Sequence, residues 1–146
     1  MQGRYEVQNK EKYVGSKVPY FRSSWELTFC RFCDTTESIT QWASEPIKIP
    51  YKHPFTGKGT VYVPDFLVQY TDKNGQRRTE LIEIKPTSQT TMESAGKSQG
   101  NRNAVEINTA KWAAAANWAK HHGVVFRIVT EDDIFAGTSR KGKKRK

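Results

Sequence analysis

Residues 60–85, TVYVPDFLVQYTDKNGQRRTELIEIK, decide how this chain folds. β-Branched and aromatic residues crowd positions 60–70, which reads as one long strand. TDKNG (71–75) is a hairpin turn, with Asn74 and Gly75 free to take positive φ, and QRRTELIEIK (76–85) is the returning strand, stopped by Pro86. Both strands place ionisable groups where a sheet should be apolar. Asp65 is expected to share a face with Val63 and Leu67. Glu83 and Lys85, two residues apart, project from one side of their strand, with Ile82 and Ile84 on the other. A carboxylate among branched aliphatics resists ionisation unless a cation or hydrogen bonds satisfy it. A divalent cation would let Asp65 and Glu83 ionise together, and Lys85 could then neutralise charge developing on a phosphate. Mg²⁺, with Mn²⁺ as a substitute, suits such a site, because it takes one or two carboxylates together with water and phosphate oxygens. The main-chain carbonyl of Ile84, between the two polar side chains, is a further candidate ligand. These are the parts needed to hydrolyse a phosphodiester.

Outward from this hairpin, SSWELTFCRFC predicts a short helix with Ser23 as N-cap and Glu26 three positions on. Ile47, Ile49 and Tyr51 alternate with other residues as in a strand, and HPFTGKG (53–59) is a turn. Downstream, TSQTTMESAGKSQGNRN (87–103) has no apolar pattern and reads as a long loop of the lid or binding type. AVEINTAKWAAAANWAKHH (104–122) is a strong helix ended by Gly123, VVFRIV (124–129) is a short strand, and Thr130 caps a last turn with Asp133. The order helix, three strands, helix, strand predicts an α/β (α+β) fold: a small mixed sheet of about four strands flanked by helices.

A chain of 146 residues supports a single core. Residues 1–20 read as a polar, basic arm or irregular lead-in, 21–137 as the domain, and TSRKGKKRK (138–146) as a disordered basic tail. Removing the tail's six cations from a net charge of +9 leaves +3 for the rest. Arg140, Lys141, Lys143, Lys144, Arg145 and Lys146 thus suit a salt-sensitive, sequence-blind grip on phosphates. No run of about 18 apolar residues exists, so no transmembrane helix is expected, and the first residues lack the apolar stretch of a secretory signal. Cys30 and Cys33 lie within an apolar helix and read as buried reduced thiols, with no disulfide-linked partner expected. The adjacent His121 and His122 are poorly spaced for a zinc finger. Neither a phosphate-cradling loop nor a Ser/His/Asp arrangement is present.

Pro64-Asp65 followed by Glu83-Ile84-Lys85 resembles the PD-(D/E)xK motif of the restriction-endonuclease-like nucleases, whose core is a helix, a three-strand meander, a helix and a strand. The set RSSWELTF, QWASEPIKIPY, VYVPDFLV, LIEIKP and AKWAAAANWAKHHGVVFRIVTE is similar to the T4-type phage head completion nucleases, which in turn resemble the N-terminal nuclease domain of the TnsA transposase subunit. The resemblance implies a metal-dependent DNA endonuclease in which Asp65 and Glu83 bind the metal, Lys85 serves the nucleophile and Glu26 completes the acidic cluster. It also implies DNA processing as the phage head is finished, with head or portal proteins as possible partners and the virion or host cytoplasm as location. Glu26 stands between this role and a capping box, and Glu45 between the acidic cluster and a surface acid. Asn108 and Lys111, on one helix face beside Trp112, are candidate DNA contacts, as are Lys97 and Arg102 in the polar stretch. Two other readings stay open: a virion DNA-end-binding protein without activity, and a TnsA-like or repair nuclease that needs a partner.

Overall fold

The structure, a computed structural model, describes residues 1–133. In chain order the elements are β1 (Gly3–Arg4), β2 (Tyr20–Phe21), α1 (Ser24–Thr35), β3 (Ile39–Ser44), β4 (Ile49–Lys52), β5 (Gly59–Tyr62), β6 (Phe66–Thr71), β7 (Arg77–Ile84), α2 (Met92–Ala95), α3 (Gln99–His121) and β8 (Val125–Val129). The central sheet has the order β3-β6-β7-β8, antiparallel except for the parallel β7–β8 pair. Alternation along the strands sends successive side chains to opposite faces. One face (Phe66, Val68, Ile82, Ile84, Val129) packs with Trp42 and with Phe29, Cys30 and Cys33 of α1. The other packs Leu81, Leu67 and Phe126 against Ala115, Trp112 and Trp118 of α3. A mixed sheet held between helices in this way is the restriction-endonuclease-like arrangement expected above.

Helix ends follow the cap chemistry of the sequence. Ser23 Oγ accepts from the Glu26 N–H (3.1 Å) at the start of α1. α3 ends where Gly123 takes φ 69°, so that the Val124 N–H turns back to the Ala119 carbonyl (3.0 Å). The turn between β6 and β7 closes on Asp72, whose Oδ1 accepts from the Asn74 and Gln76 N–H groups, each at 2.9 Å.

Four expectations need correction. The first strand of the meander is β3, not the stretch 47–51. In β3, Trp42, Ala43 and Ser44 are all buried, so no alternation marks it, because the leading segment covers its outer edge: the Val14 N–H meets the Trp42 carbonyl (2.9 Å) and the Ser44 N–H meets the Tyr13 hydroxyl (3.2 Å). Residues 60–70 are not one strand. β5 pairs with β4 in a separate hairpin, in register Ile49 with Tyr62. The chain breaks over Val63, Pro64 and Asp65 before β6 joins the main sheet; Pro64 has no N–H to continue a ladder. Asp65 therefore sits at a bend, not inside a strand between Val63 and Leu67. Residues 87–103 are largely helical: Thr91 caps α2 and Ser98 caps α3, so the residues that suggested a loop are caps. Residues 1–20 are an irregular lead-in bound to the domain, not an arm. β1 pairs with β2, Tyr5 is buried, and the fully buried Asp34 carboxylate accepts from the Tyr5 hydroxyl (2.7 Å) and the Gln8 and Asn9 N–H groups (2.8 and 2.9 Å). Lys12 Nζ adds bonds to the Asp34 and Thr36 carbonyls.

The basic stretch 138–146, with Arg140, Lys141, Lys143, Lys144, Arg145 and Lys146, lies outside the described residues. Among the described residues no helix is long and apolar enough to cross a membrane. Cys30 and Cys33 are free and buried, and burial pushes the Cys30 thiol up to about 12.

Candidate active site

The β6–β7 register brings the acidic pair together. Its last partners are Phe66 and Ile82, which leaves Asp65 opposite the end of β7 that carries Glu83. The Ile84 N–H lies beyond that last pair, and Asp65 Oδ2 accepts from it at 2.8 Å. Glu83 is buried, and its Oε1 accepts from the Tyr62 hydroxyl at 2.7 Å. Its Oε2 lies 3.7 Å from Lys85 Nζ. The Lys85 main chain is anchored by its N–H to the Val129 carbonyl of β8 (3.0 Å), and its side chain keeps 27 % exposure, enough to meet a substrate from solvent. From α3, Lys111 Nζ stands over the Tyr62 ring, 5.6 Å from its centre.

The electrostatics follow from this crowding. Burial, then the charges of Glu83 and Glu26, push the Asp65 carboxyl well above the usual carboxylate range, against the opposing Ile84 N–H and Lys85. Burial likewise raises Glu83, opposed by the Tyr62 hydroxyl and by Lys85 and Lys111. Burial and the neighbouring Lys85 lower the Lys111 ammonium. Two carboxylates thus resist ionising side by side. Added positive charge would relieve both, and an all-oxygen donor pair suits a hard cation such as Mg²⁺. Among the described residues no group of three His, Cys, Asp or Glu side chains is arranged to hold a metal ion. Glu26 Oε1 accepts from the Arg22 N–H (3.0 Å) while its own N–H reaches Ser23, so it caps α1, and its charge is felt at Asp65.

The sequence profile of the TnsA-like endonuclease N-terminal domain matches residues 36–131, from the residue that follows α1 to the one after Thr130. The chain belongs to the TnsA-like endonuclease family. It is also 34% identical over 145 residues to the Head completion nuclease of Enterobacteria phage T4, an alignment that covers 92% of this chain and 93% of that protein. The β3–β8 sheet, both acidic residues, Lys85 and α3 all fall inside the TnsA-like match.

In this endonuclease the other candidate residues scatter. Lys111 stands over the Tyr62 ring, where it feels the charges of Glu83 and Asp65. Asn108 is buried, and its side-chain amide donates to the Gln89 carbonyl (3.1 Å), so it ties α3 to the segment after β7. Arg102 donates to the Gly96 carbonyl (3.0 Å) across the α2–α3 junction, and Lys97 is exposed nearby. Glu45 does not turn to the acidic pair. Its carboxylate pairs with Lys17 Nζ (3.1 Å) and the Arg22 guanidinium; burial opposes its ionisation, but these two cations hold its carboxyl below the usual range. Its backbone takes φ 48°, strained for a glutamate, while its N–H bonds the Asp65 carbonyl (2.8 Å) and so braces the bend that carries Asp65. The site residue that sequence reasoning missed is Tyr62. A signal existed: a buried tyrosine needs a partner for its hydroxyl, and Glu83 is an acid on the neighbouring part of the motif.

Proposed function

We propose that this protein is a DNA endonuclease of phage head completion, of PD-(D/E)xK type and dependent on Mg²⁺, for which Mn²⁺ can substitute. Asp65 and Glu83 are assigned as metal ligands, with the Ile84 carbonyl as a further one, and Lys85 as the group that serves the attacking nucleophile. The observation that carries this reading is the meeting of two carboxylates, each held above its ordinary pKa by burial, beside a partly exposed lysine at the end of one hairpin. A bound divalent cation would supply the positive charge that lets both acids ionise and polarises a phosphate.

The chain's own groups do the positioning. The Ile84 N–H holds one oxygen of Asp65, and the Tyr62 hydroxyl holds one oxygen of Glu83. The other oxygen of each carboxylate is the one assigned to a ligand, that of Glu83 lying 3.7 Å from Lys85 Nζ. Lys85 reaches the solvent side, where its ammonium can hydrogen-bond a non-bridging phosphate oxygen and offset charge as the phosphorus becomes five-coordinate. Lys111 adds a second cation behind the pair. Lys97, Arg102 and the basic residues 140–146 remain candidate phosphate contacts. Head or portal proteins as partners, and the virion or host cytoplasm as location, belong to the same reading.

The test is cleavage of plasmid DNA by purified Asp65→Ala and Lys85→Ala proteins in Mg²⁺. Both should lose cutting while keeping their circular dichroism and most of their DNA affinity. Undiminished cutting by both would overturn the assignment. A wild-type protein that binds DNA and cuts in neither Mg²⁺ nor Mn²⁺ would leave a DNA-end-binding protein instead. Independently of activity, Mg²⁺ or Mn²⁺ should raise the Tm of the wild type and leave that of Asp65→Asn unmoved.

A further inference from the structure

Between Glu45 and Asp65 the chain leaves the main sheet, builds the β4–β5 hairpin and returns. Residues 46–64, PIKIPYKHPFTGKGTVYVP, contain Lys48, Lys52, Lys58 and His53 and no acid. In a domain whose catalytic end is acidic, an excursion of one sign is a charged feature to be explained. The hairpin's two faces differ. Ile49, Tyr51 and Tyr62 turn inward onto α3 and Leu81. Lys52, Pro50 and Val61 are exposed on the outer face, where Pro50 pairs with Val61. The tip is ordered: the His53 N–H bonds the Lys58 carbonyl (2.9 Å), and His53 Nδ1 accepts from the Phe55 and Thr56 N–H groups (3.2 and 3.4 Å). That framework holds Phe55 out at 52% exposure with its ring near that of His53, between Lys52 and Lys58 in sequence. The tip thus offers positive charge and an apolar ring together on a hydrogen-bonded turn, a combination suited to a polyanion with apolar base edges.

We infer that the β4–β5 hairpin is a DNA-docking element that lies along the major groove of duplex DNA, with Lys52 and Lys58 on phosphates and Phe55 against base edges. A two-stranded ribbon is the size the major groove admits, and apolar groups there meet thymine methyls. The charge is complementary, and the connection to the chemistry is short: Tyr62, the last residue of the hairpin, holds Glu83, and Asp65 follows three positions later. Three residues span at most about 10 Å, so the base of the hairpin lies beside the acidic pair, and β5, about 13 Å long at 3.3 Å per residue, carries the tip away from it along a path that one duplex can follow. Two lysines of the same excursion leave the substrate anchored whatever sequence is to be cut. This inference rests on the DNA-endonuclease reading above and adds where the duplex sits.

The experiment measures binding of a labelled duplex by fluorescence anisotropy across a salt series in divalent-free buffer, where no cutting occurs. Full-length wild type is compared with Lys52→Ala/Lys58→Ala, Phe55→Ala and, as a control, Lys73→Ala in the turn at the far end of β6 and β7. All four positions are exposed, and equal Tm values establish that the variants fold; Lys52→Gln/Lys58→Gln repeats the measurement if the alanine pair does not. Each phosphate contact contributes about 0.9 to the slope of log K against log salt, so the double variant should flatten the slope by about 1.8. Phe55→Ala should weaken binding several-fold at every salt concentration with the slope unchanged, and Lys73→Ala should match wild type. An unaltered slope in the double variant, an equal loss in Lys73→Ala, or a wild type that does not bind duplex overturns the inference. A wild type that binds through the hairpin and yet does not cut in Mg²⁺ or Mn²⁺ sinks only the endonuclease reading.

Discussion

Replacing Tyr62 by phenylalanine deletes one hydroxyl and leaves the ring in place among Ile49, Leu81 and Ala115. What is lost is the 2.7 Å bond to Glu83 Oε1, made between two side chains that are 3% and 5% exposed. A buried hydrogen bond to a charged group is worth about 1.5–3 kcal/mol, against about 0.5–1.5 kcal/mol for a neutral one. At this chain length 1 kcal/mol moves Tm by roughly 3 °C, so Tyr62→Phe should melt about 5–9 °C lower near pH 8. The hydroxyl also opposes the burial that raises Glu83, so without it Glu83 ionises at higher pH. The acid limb of the cleavage profile should therefore move to higher pH, and the Tm deficit should narrow at low pH, where Glu83 is protonated in both proteins. Thermal melts between pH 4 and 8, together with initial cleavage rates over the same range, read both effects. A Tm within 1 °C of wild type at pH 8 and an unmoved acid limb would refute the reasoning.

Asp65 is also held above its ordinary pKa, so its contribution to stability is complete below the usual carboxylate range and is lost as pH rises through its folded-state value. Asp65→Asn keeps an oxygen for the Ile84 N–H and removes the charge. In divalent-free buffer it should be more stable than wild type by about 0.5–2 kcal/mol at pH 8, with the gap closing toward pH 4 in urea titrations; a wild type that is the more stable at pH 8 would contradict this. Asp34 behaves in the opposite sense. Burial works against its charge, but the Gln8 and Asn9 N–H groups and the Tyr5 hydroxyl outweigh it and hold its carboxyl below the ordinary range. Its stabilisation is complete above that range and is lost as pH falls through the folded-state value. Asp34→Asn cannot accept all three bonds, and should cost about 1.5–3 kcal/mol near neutral pH, with a smaller loss in acid; equal urea midpoints at pH 7 would show that the bonds contribute nothing net.

Much of the architecture was legible because it is written in local chemistry. The Ser23 cap, the Asp72–Gly75 turn, the alanine-rich helix ended by Gly123 and the strand at Val125–Val129 each depend on neighbours in sequence. The errors arose where distant contacts override the local pattern. β3 lost its alternation because residues 13 and 14 cover it. The run 60–70 looked continuous because β5 and β6 share one composition, and what divides them is the choice of partner strand at Pro64. Glu83 and Lys85 could be placed from the period of two along β7 and its end, whereas Asp65 could be named from Pro64-Asp65 but not set at its bend. Tyr62 could not, since its hydroxyl meets Glu83 across a change of sheet, and Asp34 could not, since its partners lie more than twenty residues upstream.

The mixed sheet sets an order of assembly. β6 and β7 are joined by a tight turn and β3 pairs antiparallel with β6 across the β4–β5 excursion, whereas β8 must run parallel to β7 and waits for α3 to cross between them. Contacts of short sequence separation close first. Both carboxylates belong to the early part, while the Lys85 N–H finds its partner in Val129, at the end of the last strand. A nascent chain that has emerged only as far as α3 would carry the acidic pair with no anchored lysine beside it, so arrival of the final strand completes the site.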